Sequence, residues 1–248
     1  MLYCSKERRK ELHVLKFKLL KTAIVNTIPV MMGYIVLGIG FGILLEKSGY
    51  GFWWAVAMSV FIFAGSMQYV GVGLITGGAS LVSTALTTLM VNARHLFYGI
   101  SMINRYKGAG LKKLYMMFAL TDETYSLVCS GDYPEGEDPH WYCFLVSLCN
   151  QSYWVIGSAL GSLIGSAITF NTAGIDFAMT ALFVTIFVEQ WLTTKEHRPA
   201  LIGIGASTAC LLIFRSESFL IPAMITIAIL LTAFRRPLEK KEGGGDHE

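Results

Sequence analysis

The sequence predicts an all-α fold, a polytopic bundle of transmembrane helices, and two observations lead to it. The chain is 54% hydrophobic and only 15% charged over its 248 residues, whereas about a quarter of the residues in a soluble domain are charged. Apolar runs of roughly 20 residues recur along it, and each is long enough to cross the hydrocarbon core of a bilayer. Because the runs are continuous and apolar on all sides, they indicate helices and not the short alternating strands of a membrane β-barrel.

Seven or eight helical segments are expected, joined by short polar connections. The segments are predicted at 22–45, 53–75, 79–103, 114–130, 141–168, 176–193, 199–214 and 219–234. Residues 1–21 carry seven Lys or Arg, and we expect a cytoplasmic basic arm that meets the lipid bilayer and not nucleic acid. Residues 22–235 form the predicted transmembrane transport domain, and the charged, Gly-rich residues 236–248 a disordered tail.

The charges of the loops predict an orientation and also raise a conflict. Loop 104–113 has four Lys or Arg and no acid, which indicates the cytoplasm, while loop 130–140 has four acids and no Lys or Arg, which indicates the outside. Three full crossings after a cytoplasmic arm would place loop 104–113 outside the cell, whereas its charges indicate the cytoplasm. We therefore expect an even number of crossings, with runs 53–75 and 79–103 as candidates for half-helices or a re-entrant pair. Broken helices of this kind build the substrate sites of many secondary transporters.

A weak internal similarity suggests a two-fold repeat. Segments 36–68 and 155–190 both pass from a Gly-rich helix, through a Gly-containing loop, to an aromatic-led helix that ends near Gln68 or Gln190. Two structural halves would suit a transporter. Two membrane helices of similar composition would account for the similarity equally well.

Several ionisable residues lie within the predicted spans, where a charge costs roughly 2.5–3.5 kcal/mol. They are Arg94, His95, Asp122, Glu123, Asp176 and Glu189. Arg94 would lie about 13 Å from the end of its helix, so it needs a carboxylate partner, and Asp122 and Glu123 are the best candidates. His95, Asp122 and Glu123 are therefore our candidates for a proton or ion relay. A structural ion pair and an acid that caps a helix end would account for the same residues.

The candidate substrate-binding residues are Gly65, Ser66, Gln68, Asn92 and Arg94. If residues 79–103 form one helix, a polar stripe runs along it and Arg94 points about 100° away from that stripe. The stripe consists of Ser80, Thr84, Thr88, Asn92, His95 and Gly99. The Gly-containing stretch "FAGSMQYVGVG" at 63–73 either unwinds and exposes backbone dipoles to an amphipathic ligand or lets helices pack closely.

Other functional classes find little support in the sequence. The chain has no phosphate loop, no nucleotide motif and no metal-ligand cluster, so we expect no cofactor, no metal and no direct use of ATP. Ser66 and His95 are the one nucleophile–base pair that would suit an intramembrane hydrolase, but they lack a GxSxG elbow. We expect a transporter and not an enzyme. A channel-like or structural membrane subunit is the alternative.

Six sequence blocks carry a resemblance to a known family. They are "PVMMGYIVLGIGFGIL" (29–44), "FAGSMQYVGVGLI" (63–75), "LTTLMVNARHLFYGISM" (86–102), "FALTDETYSL" (118–127), "GIDFAMTALFVTIFVEQW" (174–191) and "RPALIGI" (198–204). With them the chain resembles the AzlC-type branched-chain amino acid permeases, the large subunit of a bacterial exporter. The resemblance implies export of branched-chain or similar apolar amino acids across the cytoplasmic membrane, with a small AzlD-type membrane subunit as partner. It identifies no substrate-contacting residue.

Overall fold

The computed structural model describes residues 2–129, 131, 133, 138–167, 177, 180, 181, 184, 187, 188, 191, 192 and 196–233. The described residues form ten helices and no strand. The helices are α1 (Leu2–Lys47), α2 (Phe52–Phe61), α3 (Gly65–Thr76), α4 (Leu81–Val91), α5 (Ala93–Met102), α6 (Lys112–Phe118), α7 (Asp122–Val128), α8 (Pro139–Ala167), α9 (Arg198–Ser218) and α10 (Leu220–Ala233). Two compact units, Met1–Met179 and Thr180–Glu248, divide the chain.

The predicted all-helical fold is confirmed, and several predicted runs are broken. Runs 22–45 and 141–168 each lie in one long helix, and the segments Phe17–Lys47 of α1 and Pro139–Ala167 of α8 are long and apolar enough to cross a membrane. Runs 53–75, 79–103 and 114–130 each form two shorter helices. Helix α1 continues through the boundary predicted at residue 21. Run 176–193 lies largely outside the described residues, as do Asp176, Glu189, Gln190 and the tail 236–248.

Helices α1 and α8 pack against each other and run in parallel. Their contacting residues advance together along both helices. The pairs are Asn26 with Tyr142, Tyr34 with Trp154, Gly38 with Gly157 and Gly42 with Gly161. Since the chain leaves the end of α1 and later enters the start of α8, the helices between them make a net return from one end of the bundle to the other.

Glycines make the contact between α1 and α8 unusually close. A Cβ atom at Gly42 would lie 2.1 Å from the carbonyl oxygen of Ser158, and one at Gly161 would lie 2.2 Å from the carbonyl oxygen of Ile39. The glycines recur at four-residue spacing on each helix, which is the small-residue pattern of membrane helix packing.

Helices α2 and α3 form a hairpin that enters the bundle from the C-terminal end of α1 and returns to it. The end of α2 reaches the middle of α8, α3 begins at that level, and α3 then advances toward the C-terminal part of α1. In chain order the contacts are Val60 with Gln151, Gly65 with Trp154, and Tyr69 with Leu37 and Phe41. Run 53–75 is therefore a pair of half-helices and not a crossing.

Helices α4 and α5 together make the return crossing. The interruption between them is confined to Asn92, whose N–H still donates to the Thr88 carbonyl at 3.0 Å, while the His95 N–H donates to the Asn92 carbonyl at 2.9 Å. Helix α5 ends at Met102, which packs in a buried cluster with Tyr142 near the start of α8. The expected stripe of polar residues on one continuous helix is thus interrupted at Asn92.

Helices α6 and α7 form a second hairpin, which enters from the N-terminal end of α8. Helix α6 advances from that end toward the middle of α8, and α7 goes back. In chain order the contacts are Lys112 with Trp141, Tyr115 with Gln151, Thr124 with Asn150, and Val128 with Arg105 and Tyr133. The two hairpins therefore enter from opposite ends, and their tips are residues 62–64 and 119–121.

The positions of the loops correct one prediction and support another. Two passes along the bundle, α1 and α4–α5, precede loop 104–113, which supports the even number of crossings that we expected. The described residues of loop 130–140, however, lie at the same end of the bundle as loop 104–113, because Lys112 Nζ is 3.9 Å from Asp138 Oδ2. The prediction that these loops face opposite sides is wrong. Acidic residues carry little orientation information, and Asp138 pairs with the neighbouring basic loop.

The second unit contains an antiparallel pair of helices among its described residues. Helices α9 and α10 turn at Phe219 and pack along each other, with Cys210 Sγ 3.8 Å from Thr226 Oγ1. Pro199 lies in the first turn of α9, where the missing N–H of proline has no intrahelical partner to lose.

Candidate functional site

One arginine joins the first turns of three half-helices. Arg94, in the first turn of α5, forms an ion pair through Nη1 with Oδ2 of Asp122, the first residue of α7. Its Nη2 donates to Ser66 Oγ, in the first turn of α3, at 3.1 Å. We call Ser66, Asn92, Arg94, His95 and Asp122 the break site. The expected carboxylate partner of Arg94 is therefore present, and it is Asp122.

The chain breaks at these points for different local reasons. Phe63 has a φ of 42°, a left-handed conformation that only the surrounding packing stabilises in a bulky residue. Thr121 is extended, and its Oγ1 accepts the N–H of Thr124 at 3.3 Å. It thereby caps α7. The carbonyl of Val60, freed at the end of α2, accepts from Gln151 Nε2 at 3.0 Å.

The breaks also set the electrostatics of the site. The first turn of a helix carries unpaired N–H groups and a positive partial charge, which favours acids and opposes bases. Asp122 and Glu123 occupy the first turn of α7, where their charge is favourable. Arg94 lies in the first turn of α5 and against the first turn of α3, where a positive charge is unfavourable. The negative charge of Asp122 offsets that of Arg94.

Four polar atoms of the break site are shielded from solvent and have no hydrogen-bond partner among the described residues. They are Asn92 Oδ1, Arg94 Nε, His95 Nδ1 and Asp122 Oδ1. Arg94 and Asp122 thus each use one part of the charged group in the ion pair and keep another atom for a further partner. Donors and acceptors in this arrangement can bind a small molecule that carries both charges.

Glu123 lies beside the break site but has different partners. The hydroxyl of Tyr34 donates to Glu123 Oε2 at 2.6 Å and also lies 2.7 Å from Thr121 Oγ1. Tyr34 comes from α1 and is 6% exposed. No ion pair among the described residues includes Glu123. The two adjacent carboxylates therefore differ, because one is paired with a cation and the other with a hydroxyl.

The structure brings together some of the predicted site residues and separates others. Ser66, Asn92 and Arg94 lie in the break site with His95 and Asp122, and Glu123 adjoins it. Two other candidates face the core. A Cβ at Gly65 would lie 3.0 Å from the Trp154 ring, and Gln68 accepts from Trp154 Nε1 at 2.9 Å. Their substrate role stays a prediction.

Sequence reasoning missed several polar residues around the site. Tyr34 bonds to both Glu123 and Thr121. Asn150 Nδ2 donates to Thr124 Oγ1 at 2.9 Å, and Tyr115 Oη donates to Gln151 Oε1 at 2.6 Å. The survey of spans counted ionisable residues only. Buried hydroxyl and amide side chains also need partners in a membrane, and counting them would have found Asn150 and Gln151.

A cavity of about 620 Å³ lies in the second unit. Its walls include the ring of Trp191, which stacks on His197 at a centroid distance of 4.1 Å, and Glu196, which pairs with Arg198 at 3.4 Å. The other lining residues are Phe187, Pro199, Ala200, Gly203, Ile204, Ser207 and Thr208. No predicted site residue lines this cavity.

These features define a helical membrane protein with broken helices that meet at an ion pair. The chain belongs to the AzlC family, whose model, described as AzlC protein, matches residues 29–168. That range contains the whole break site and Glu123, and the predicted family membership is confirmed.

Relatives with membrane-protein names cover most of the chain. It is 46% identical over 222 residues to "Branched-chain amino acid transport protein AzlC" of Bacillus subtilis (strain 168), covering 90% of this chain and 87% of the relative. It is 40% identical to an uncharacterized membrane protein of Helicobacter pylori (strain ATCC 700392 / 26695), covering 90% and 97%. It is 24% identical to the inner membrane protein YgaZ of Escherichia coli (strain K12), covering 75% and 77%. No solved structure matches the chain.

Proposed function

We propose that this protein transports branched-chain or similar apolar amino acids and that the break site holds the substrate. Membership of the AzlC family and the name of the Bacillus subtilis relative support the substrate class. The observation that carries the site assignment is the Arg94–Asp122 pair, in which each charged group keeps one unpartnered, shielded atom. A free amino acid at neutral pH carries a carboxylate, which is complementary to Arg94, and an ammonium group, which is complementary to Asp122.

The charges of the break site suggest how an amino acid would bind. Arg94 Nε, together with the N–H groups in the first turn of α3, would hold the carboxylate of the substrate. Asp122 Oδ1 and Asn92 Oδ1 would accept from its ammonium group. Binding then gives hydrogen-bond partners to polar atoms that otherwise have none. Leaving one such buried atom unpaired costs about 1–3 kcal/mol of free energy.

The proposal also covers the direction of transport, its energy source and the partner subunit. The transporter exports its substrate across the bacterial cytoplasmic membrane, uses a proton gradient and acts with a small AzlD-type subunit, as the family resemblance and the titratable residues near the break site suggest. The basic arm 1–21 and loop 104–113 face the cytoplasm. Loop 130–140 then faces it as well, because it shares an end of the bundle with loop 104–113.

Counterflow of labelled leucine and valine tests the site in proteoliposomes that contain both subunits. The variants Arg94→Gln and Asp122→Asn should lose saturable counterflow. Asp138→Asn and Arg198→Gln remove members of ion pairs outside the break site, so they should transport like the wild type. Normal counterflow by Arg94→Gln would refute the site assignment.

Two other functions predict different results. A channel-like or structural subunit would show no saturable, substrate-specific flux in the purified complex. An intramembrane hydrolase would need Ser66 activated by His95, but Ser66 Oγ accepts a hydrogen bond from Arg94, and His95 Nδ1 has no partner among the described residues. This arrangement favours binding over nucleophilic chemistry.

A further inference from the structure

A buried chain of polar side chains extends from Glu123 into the bundle. Tyr34 Oη lies 2.6 Å from Glu123 Oε2 and 2.7 Å from Thr121 Oγ1, and Thr121 Oγ1 lies 3.1 Å from Thr124 Oγ1. Thr124 Oγ1 accepts from Asn150 Nδ2 at 2.9 Å. Both Thr124 and Asn150 are fully buried. The chain links α1, α7 and α8 through groups that have little access to water.

The number of hydrogens in this chain makes its direction depend on the charge of Glu123. The hydroxyl of Tyr34 has one hydrogen. An ionised Glu123 only accepts, so Tyr34 donates to it and can only accept from Thr121. A neutral Glu123 can donate to Tyr34, which then donates to Thr121, and Thr121 donates to Thr124. A single proton on Glu123 can therefore reverse the hydroxyls of Tyr34 and Thr121.

Thr121 connects this reversal to the break between α6 and α7. Its Oγ1 also accepts from the backbone N–H of Thr124 at 3.3 Å and so caps the half-helix that carries Asp122. With Glu123 neutral, the hydroxyl hydrogen of Thr121 points toward Thr124 and the cap is completed within α7. With Glu123 ionised, that hydrogen points toward Tyr34 on α1.

The two adjacent acids, Asp122 and Glu123, differ in their charged partners. Arg94 stabilises the charge of Asp122 directly, whereas Glu123 has no ion-pair partner among the described residues. The other charged or titratable groups near Glu123 are Tyr34 on α1, Arg94 and His95 on α5, and Asp122 on α7. Of these, His95 and Asp122 are the other relay candidates that the sequence suggested.

We propose that Glu123 binds the transported proton and that Tyr34 and Thr121 transmit its protonation to the break that positions Asp122. This inference rests on the proposed function and assigns the coupling step to one residue. Tyr34 and Thr121 are positioning residues, since they act on the substrate site through Glu123 and the cap of α7. Asp122 and Arg94 hold substrate, while Glu123 and its hydroxyl partners hold the proton.

Simultaneous measurement of leucine and proton movement tests the inference. Proteoliposomes that contain both subunits and an internal pH dye report proton flux, and labelled leucine reports counterflow. Glu123→Gln mimics the neutral carboxyl, so it should keep leucine counterflow and lose leucine-dependent proton movement. Glu46→Gln is the matched control, because Glu46 also bonds to a hydroxyl, that of Ser162, within the same unit. It should keep both activities.

Two further variants separate the roles of the neighbours. Tyr34→Phe removes a donor from the ionised carboxylate, so the pH midpoint of proton-coupled efflux should move upward by about one unit. His95→Gln alters the break site and should lower leucine transport, but the leucine flux that remains should still be coupled to proton movement. If His95→Gln loses the coupling and Glu123→Gln keeps it, the assignment to Glu123 is overturned.

The failures can be told apart. Loss of counterflow by Glu123→Gln overturns the inference, since Glu123 would then serve substrate binding or folding. Net leucine efflux by the wild type without any proton movement overturns it while leaving the proposed transport function intact. Absence of counterflow by the wild-type complex overturns both. An unshifted pH midpoint in Tyr34→Phe overturns the role of the hydroxyl chain even if Glu123→Gln does not fold.

Discussion

At the scale of single residues, adjacent positions in this chain have different roles. Asp122 pairs with Arg94 and faces the break site, whereas Glu123 turns to Tyr34 and the buried hydroxyl chain. Since neighbours in a helix point about 100° apart, two acids in one helical turn can serve two different partners. Ser66 and Gln68 are two positions apart on α3, about 200° around the helix, and Ser66 meets Arg94 while Gln68 meets Trp154.

Gln68 offers a test of a buried polar contact. It is 1% exposed, and its Oε1 accepts from Trp154 Nε1 at 2.9 Å. Gln68→Leu leaves that indole N–H unpaired, so it should lower the free energy of unfolding by about 1–3 kcal/mol, measured by thermal unfolding in detergent. Adding Trp154→Phe removes the orphaned donor, so the double variant should lose less than the sum of the single losses. Strict additivity would contradict the contact.

At the scale of elements, short half-helices replace three of the predicted runs. Their ends lie inside the bundle, where side chains from α8 and α1 supply the missing hydrogen bonds. Gln151 on α8 donates a hydrogen bond to the free carbonyl of Val60, and Thr121 Oγ1 caps α7 by accepting the N–H of Thr124. Broken helices are stable in a membrane only with such partners, and here α1 and α8 form the frame that provides them.

The contact between α1 and α8 should be the least tolerant of added volume. Gly42→Leu places a side chain where the Ser158 carbonyl oxygen lies 2.1 Å from the Cβ position, so it should cost about 1–3 kcal/mol or more. Gly33→Leu is the control on the same helix, because a Cβ there meets nothing within 4 Å. Thermal unfolding and the yield of folded protein in detergent measure both variants. Equal effects would argue against the close contact.

The sequence predicts the long helices well and the breaks poorly. The continuous apolar runs locate α8 and the C-terminal end of α1 to within a few residues, whereas α1 begins at Leu2, well before the predicted start at residue 22. The hairpin tip at 62–64 has no Gly or Pro, and the left-handed conformation of Phe63 depends on packing that only the folded chain supplies. Thr121 before Asp122 and Glu123 is a readable start signal for a helix, and it does mark the beginning of α7.

The site is predictable in its chemistry and not in its partners. The cost of a buried charge requires a carboxylate near Arg94, and charge alone leaves Asp122 and Glu123 equivalent. The choice between them depends on Tyr34, which lies 89 positions from Glu123 in the sequence. Contacts between residues so far apart in the sequence depend on the parallel packing of α1 and α8. The hydrophobic periodicity of the sequence does not predict that packing.

At the scale of the whole molecule, the helices predict a path through the membrane for the described residues between 17 and 167. On this predicted path α1 crosses, α2 and α3 enter and return, α4 and α5 cross back, α6 and α7 enter from the other side, and α8 crosses again. Arg94 lies near the tips of both hairpins, since Ser66 and Asp122 each follow one of them. A site between two opposed hairpins can be reached from either side by movement of one of them.

Labelling of single cysteines in a cysteine-free background tests this path. Lys107→Cys and Asp138→Cys should react from one side of the membrane, and Ala79→Cys from the other, because the loops at 104–113 and 138 share one end of the bundle. A membrane-impermeant maleimide applied to intact and to permeabilised cells distinguishes the sides. Reaction of Asp138→Cys together with Ala79→Cys would restore the opposite placement of the two loops.

The contact between α1 and α8 has one further property. Gly38 meets Gly157 and Gly42 meets Gly161, so partners are separated by a constant 119 positions, the same separation as between residues 36 and 155, where the two similar segments begin. Equivalent positions facing each other on parallel helices is the geometry of a two-fold axis along the helix direction, as in a symmetric dimer of identical chains. Helices α1 and α8 thus meet through matching positions of the two similar segments, as two copies of one helix do in a parallel symmetric dimer.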